Sequence, residues 1–373
     1  RNTALGRSAL TTNTTGEDNV ALGYYALTNS NGSDHTAVGN YALATNTTGE
    51  SNTAIGLYAL YDNIGGSYST ALGVNALGDN TTASGNTAIG YNALRLNTTG
   101  TQNVALGFQA LDASTTTSNN TAIGYNALND NTTGSVNTAV GDQALGSNTT
   151  GSNNTGIGQG ALFANNADNN TAVGKDSLSA NSTGTQNVAV GALALDANTT
   201  ADNNTAVGYN ALGANTTADA NTALGSKALE SNTTGNSNVA LGMSALEDNT
   251  TANNNVAVGK DALKVNTTGT ANVAIGAEAL DASNADYCTA IGRSVLGANT
   301  TGTQNTAVGS NAMDNNTTGG YNSALGTNAL SSNTTGSENV AIGRQALDDN
   351  TTAIRNVAVG NGALKTNTTG ANN

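Results

Sequence analysis

The sequence predicts an all-β fold, a parallel β-roll (β-solenoid) of 17-residue coils stacked into a rod, and three observations carry that prediction. A signature, N-[TV]-A-[ILV]-G, recurs along the whole chain. "NTAIGYNAL" stands letter for letter at Asn86–Leu94 and Asn120–Leu128, and "NTAVGYNAL" stands at Asn204–Leu212. The Gly closing the signature falls at Gly6, Gly23, Gly39, Gly56 and onward to Gly360, giving 22 copies at steps of 17 residues with three steps of 16. The 373 residues include 46 Gly, no Pro, no Trp and two Phe, and Leu, Ile, Val and Phe make up about a sixth of them. With a net charge of −14, that composition alone points to disorder. The periodicity overrides it, because a disordered segment needs no fixed apolar positions.

The repeat reads N-[TV]-A-[ILV]-G-x-x-A-L-x-x-N-T-T-[GA]-x-x, and its positions are numbered 1 to 17 below. In "NTAIG", alternation puts Thr or Val and the following Ile, Leu or Val on one face of a strand and Ala on the other. The Ala is present in 21 of 22 copies, the exception being Gly156, so this face meets another backbone closely. The aliphatic two residues further on calls for a second apolar surface, so both faces of the strand are expected to be buried. The fixed Gly (Gly6, Gly23, Gly56, Gly90, Gly124, Gly208) supplies a tight turn where a Cβ would clash. The "AL" that follows adds a small–large pair, varied only at Ser177, Val295 and Met313. Each 16-residue step loses its residue from the second turn, in "TNSNGSDH", "FANNADNN" and "DASNADYC". Turns accept a deletion where strands would flip their faces, which puts the Asn-Thr-Thr stretch on the outside. A helical repeat is excluded by the fixed Gly and the Asn-Thr-Thr run.

Stacked coils place identical residues above one another. Asn86, Asn103, Asn120 and Asn137 then form an Asn ladder at position 1, and Asn97, Asn131, Asn148 and Asn198 a second column. At about 4.8 Å per coil, the stack would reach roughly 100 Å. The register never breaks, so residues 1–373 read as a single continuous repeat domain of 22 coils. The start at Arg1, with no Met and no signal peptide, reads as a segment of a longer fibre. Two large aliphatics per coil make a thin core, and a threefold bundle of parallel chains would cover the second strand face.

The signature followed by "x-x-A-L" resembles the head repeats of YadA-type trimeric autotransporter adhesins. It is even more similar to the longer arrays of phage tail-fibre proteins and bacterial surface proteins. The resemblance spans the chain, and it implies a left-handed β-roll and a homotrimer. The longer second turn departs from the adhesin pattern, and no neck, stalk, membrane barrel or tail-fibre chaperone domain is found in the 373 residues.

The acidic surface makes nucleic acid and anionic membrane poor partners, and no apolar stretch reaches the roughly 18 residues of a membrane-spanning helix. Cys288 and His35 are each the only residue of their kind and each stands where other repeats carry Asn, so both read as drift. With no Cys–His dyad and no zinc-type cluster, no catalytic residue, cofactor or metal is expected. Acids recur before the second turn (Asp79, Asp112, Asp130, Asp196, Asp248, Asp281, Asp314, Asp349). They read as a solvated face in preference to a Ca²⁺ column, since the nonapeptide of calcium-binding rolls is missing. "NTT" matches the glycosylation acceptor at Asn13, Asn46, Asn148 and Asn232, which repetition alone explains. Thr rows raise an ice-binding alternative, against which the two adjacent Thr side chains point in different directions. Tyr24, Tyr91, Phe108, Tyr125 and Tyr209 follow the Gly and form a candidate contact stripe, for a glycan, for a host-surface receptor or, preferably, for packing between chains. The expected function is a non-enzymatic extracellular fibre on a cell surface or virion, either an adhesin-like shaft or head or a phage tail-fibre shaft.

Overall fold

A computed structural model describes residues 1–373 and shows an all-β β-solenoid of 22 strands, each three residues long, with no helix. Two compact units divide the chain, Arg1–Gln186 and Asn187–Asn373, and the division falls at a coil boundary. In the first unit the strands run from Thr3–Leu5 to Thr171–Val173, and in the second from Val188–Val190 to Val357–Val359. Within each unit the strands are parallel and in register. Thr87, Ala88 and Ile89 lie opposite Val104, Ala105 and Leu106, and Val239, Ala240 and Leu241 lie opposite Val256, Ala257 and Val258. Since each strand's neighbour is one repeat away in sequence, every repeat is one coil.

The coil Asn86–Gln102 shows why the strands are short. Gly90 has φ +136°, a region reserved for glycine, and a Cβ there would overlap the carbonyl of Gly107 one coil on. Gly6, Gly23, Gly56, Gly124 and Gly208 share this geometry, with φ between +135° and +140°. After it the chain takes left-handed conformations at three non-glycine positions, here Asn92 (φ 54°), Leu94 (φ 51°) and Gln102 (φ 61°). A left-handed residue costs about 1–2 kcal/mol, and the Leu at position 9 adopts it in coil after coil. Two features offset the cost. The Leu94 N–H donates to Ala110 O of the next coil at 2.9 Å while Asn92 N–H donates to Val74 O of the previous one at 3.0 Å, so the corner keeps the inter-coil ladder. The Leu94 side chain is also fully buried.

The interior is built from Ala88, Ala93 and Leu94 and their counterparts, all buried. Gly156 explains why position 3 accepts nothing larger than Ala. A Cβ there would already sit 3.1 Å from Ala161 O across the coil and 3.3 Å from Leu145 Cγ. The other half of the interior is polar, which corrects the expectation that the Asn-Thr-Thr stretch lies outside. Asn97, Asn131 and Asn148 are fully buried, as are Asn86, Asn103 and Asn120, and only the threonines look outward. The interior is therefore less thin than its aliphatic content suggested, because buried amides complete it. They are tolerated there because each finds partners.

A second expectation is corrected on the outer side of the strand. Position 3 is buried, but positions 2 and 4 are half-buried or exposed: Val104 and Leu106 flank buried Ala105 and are 38% and 41% exposed. The chain itself leaves this face open.

The 16-residue coils keep the stack regular by substitution. In a full coil Thr98 O accepts the N–H of Thr81 at 3.1 Å and that residue's hydroxyl at 3.0 Å. Where one residue is missing, an Asn side chain takes the carbonyl's place. Asn31 Oδ1 accepts the Thr14 N–H and hydroxyl at 2.9 and 3.0 Å. Asn166 does the same for Thr149 and Asn284 for Thr267, each pair at 2.7–2.8 Å.

Candidate functional site

Three polar columns run along the coils, and each has its own wiring. At position 1 the amides do not bond one another in series. Asn86 Oδ1 accepts the backbone N–H of Asn103 at 2.8 Å, and Asn86 Nδ2 donates to Gly100 O at 2.8 Å across its own coil. Asn103, Asn120 and Asn137 repeat this, their Oδ1 atoms accepting from Asn120, Asn137 and Asn154. At position 12 the side chains do form an amide ladder, with Asn97 Nδ2 donating to Asn80 Oδ1 at 3.1 Å and Asn80 Nδ2 to Asn63 Oδ1 at 2.8 Å. A third column at position 16, missed in the sequence, uses short side chains as acceptors. Ser84 Oγ accepts the Ser67 N–H and Ser118 Oγ the Thr101 N–H, both at 3.0 Å.

The singular His35 and Cys288 belong to the first column. His35 Nδ1 accepts the Asn52 N–H at 3.1 Å, so the neutral ring carries its proton on Nε2, which donates to Gly49 O at 2.8 Å. With both roles of an Asn amide reproduced, its 3.1 Å approach to Asn46 Nδ2 brings two donors together and is no bond. Burial pulls the His35 pKa below its usual 6.5, against the hydrogen bond the ring donates to Gly49 O and the charges of Asp34 and Glu50. Cys288 Sγ lies 3.3 Å from Gly302 O, the bond an Asn amide would make, and burial pushes the thiol up. Both residues are interior parts, far from nucleophile or base geometry.

Three of the four acceptor sequons are interior as well, while Asn13 is half-buried with its amide donated to Gly16 O at 2.9 Å. Asn46, Asn148 and Asn232 are fully buried, and their amides donate to Gly49, Gly151 and Gly235 at 3.0–3.1 Å, which leaves no amide for an attached glycan in the folded chain. The first Thr of a pair typically donates its hydroxyl to a backbone carbonyl, as Thr98 does to Thr115 O at 3.0 Å, or at Thr14, Thr149 and Thr267 to an Asn side-chain oxygen. One exposed Thr column remains per turn of chain.

The recurrent acids split between two positions of the coil. Arg95 stands between Asp79 and Asp112 at 3.9 and 3.1 Å. Asp281 and Asp314 face a notch over Gly297. Burial raises both carboxyls, and Glu278 adds to the rise of Asp281. No group of three or more His, Cys, Asp or Glu side chains is placed to hold a metal ion.

The aromatic stripe divides. Tyr91, Phe108 and Tyr125 stack in parallel on successive coils with centroids 5.2 and 5.4 Å apart, and all three are exposed. Tyr24 belongs to a separate cluster with Tyr25, Tyr41, Tyr58 and Tyr61 and lies beneath the Arg7 guanidinium at 5.8 Å. Tyr209, in the second unit, is exposed and joins neither group. Position 10 of the first unit carries an aromatic that the consensus did not single out, Phe163, flanked by a depression of about 420 Å³ on one side and about 170 Å³ on the other.

No protein-family model matches the chain, and no match is found among curated proteins.

Proposed function

We propose that the chain is a non-enzymatic structural segment of an extracellular fibre, an adhesin-like shaft or head on a cell surface, whose work is length, stiffness and resistance to proteolysis. The observation that carries this reading is the self-similar wiring. Each coil within a unit has one strand bonded in register to its neighbours, buried amides bonded to the coil beside it, and no long loop. Proteases act on exposed flexible segments, and the connections here are held by bonds between coils.

The open strand face supports assembly with identical chains. Its aliphatic column is exposed at Leu22, Ile55, Leu72 and Leu106 and half-buried at Val38, Ile89 and Ile123 between and beyond them, and contiguous exposed apolar surface marks interaction sites. We propose that three parallel chains cover it as a homotrimer. A phage tail-fibre shaft on a virion would use the same arrangement for reach toward a host receptor. Ice binding is disfavoured, because the first Thr of each pair donates its hydroxyl within the protein and the Leu, Ile and Val of the open face differ in shape from coil to coil.

The test is the solution mass of the segment by light scattering. A value three times the 36.7 kDa chain mass supports the trimer. A monomeric mass refutes it and moves the question to lateral filament assembly, visible by electron microscopy, or to ice binding, visible as thermal hysteresis.

A further inference from the structure

Around Phe163 two variable positions of the repeat carry glycine within three coils. Position 7 carries Asn126, Gln143 and Asp176 in neighbouring coils, but Gly160 stands between the last two. Position 10 carries Asn129 and Phe163, but Gly146 stands between them. Each missing side chain opens space beside the ring. A Cβ on Gly146 would sit 3.1 Å from the ring edge of Phe163, and a Cβ on Gly160 would overlap the Asp176 carboxylate. Two depressions therefore flank one aromatic ring that is 38% exposed.

The larger depression, about 420 Å³, lies within the range of small-molecule pockets, about 300–1,000 Å³. Its apolar wall is the Phe163 ring with the Ala164 and Ala180 methyls, and its polar rim includes Gln143, Gln159 and Asp176. The Asp176 carboxylate is held by Lys175 Nζ at 3.1 Å, so the rim offers amide donors and acceptors and one carboxylate whose charge is compensated. In the smaller depression the Asn126 Oδ1 atom has no hydrogen-bond partner. An apolar ring face bordered by amides and a carboxylate matches a pyranose, whose axial C–H groups present an apolar face and whose ring edge is lined with hydroxyls. The acidic chain, at net −14, disfavours phosphorylated or anionic ligands.

We propose that this surface is a saccharide-binding site for a neutral hexopyranose, with Phe163 as the stacking platform and Gln143, Gln159 and Asp176 as hydroxyl partners. The site lies within one chain and does not depend on the fibre or trimer reading.

Phe108 and Phe163 are the only phenylalanines, so the chain labelled with fluorophenylalanine gives two ¹⁹F signals, assigned with Phe108→Tyr. Titration with the methyl glycosides of glucose, galactose, mannose and N-acetylglucosamine should shift the Phe163 signal saturably for at least one of them and leave Phe108 in place. Gly160→Asn restores the residue type found at Asn126 and Asn210, which suits the left-handed backbone of Gly160 (φ +66°). It should fill the depression and weaken binding at least tenfold with the Phe108 signal unchanged. Phe163→Asp, which copies Asp112 and Asp314 at the same position, should abolish binding as read by saturation transfer to the sugar. No saturable shift at Phe163 with any of the four sugars overturns the proposal, and so does full affinity in either variant.

Discussion

The coil Asn86–Gln102 and the stretch Asn19–Asn52 perform the same structural task with different residues. In the first, an Asn side chain ties Asn103 N–H to Gly100 O, and a Thr carbonyl, that of Thr98, accepts from the preceding coil. In the second, one residue is missing from the turn and an imidazole replaces the amide. Asn31 Oδ1 stands in for the lost carbonyl, and His35 ties Asn52 N–H to Gly49 O. The repeat thus keeps a set of donors and acceptors at fixed places and is indifferent to which chemical group supplies them. Where no other residue can supply the geometry, as at the position-5 Gly, the letter never changes.

The largest effect should come from breaking what both regions share. Gly90→Ala and Gly39→Ala each place a Cβ at φ +136° or +134° against a backbone carbonyl of the following coil. The conformation alone costs about 1–3 kcal/mol. The carbonyl cannot move without displacing the coil that carries it, so each variant should lose about 3 kcal/mol or more in urea unfolding. A loss below about 1 kcal/mol in either, less than the strained conformation alone should cost, would show that the glycine column does not constrain the stack.

The next effect separates residue identity from hydrogen-bond geometry. Asn86→Ala leaves the Asn103 N–H buried without a partner, while Gly100 O keeps the Asn97 amide at 2.9 Å. One orphaned buried donor costs about 1–3 kcal/mol, and that loss is expected in thermal or urea unfolding. Asn86→His should recover part of it, because His35 already fits this position. Equal destabilisation by Ala and His would refute the view that the column tolerates any side chain with the right donor and acceptor.

The strand, its Gly and its Ala were legible in the sequence because each does one thing that one residue type does best. The direction of the asparagines was not. A polar amide beside two threonines reads as surface, and a period of 17 says where residues align but not which way a turn faces. Leu94 gave no sign of its left-handed backbone, since nothing in a leucine favours that conformation, and only its burial and its bond to Ala110 hold it there. The aromatic column was legible as a stripe, yet the structure divides it into the Tyr91–Phe108–Tyr125 stack and the Tyr24 cluster. The surface around Phe163 was hidden for the opposite reason. It arises from Gly146 and Gly160 at positions the repeat leaves variable, and glycine recurs at the first of these positions in Gly78, Gly213 and Gly297, so neither stands out in the sequence.

The smallest effect, and the sharpest comparison of the two regions, is in pH. His35 is neutral in the folded chain, its Nδ1 accepting the Asn52 N–H and its Nε2–H donating to Gly49 O, and burial holds its pKa below 6.5. The unfolded chain binds the proton more readily. Well above pH 6.5 both states are neutral and stability is insensitive to this group. As pH falls below 6.5 the unfolded state gains protons that the folded state does not, so the stability His35 contributes is lost progressively until pH passes the lower folded pKa. Burial, which disfavours the charged ring, is the physical origin of the loss, and a protonated ring would also leave the Asn52 N–H without its acceptor. Carboxylates titrate lower and would mask it in a single profile, so the measurement is the difference in unfolding free energy between the parent and His35→Asn from pH 8 to pH 5. That difference should be flat above about pH 7 and move in favour of the Asn variant below about 6.5. A flat difference throughout would mean that the folded state takes the proton as readily as the unfolded one, with Nδ1 no longer acting as the acceptor that the Asn column requires.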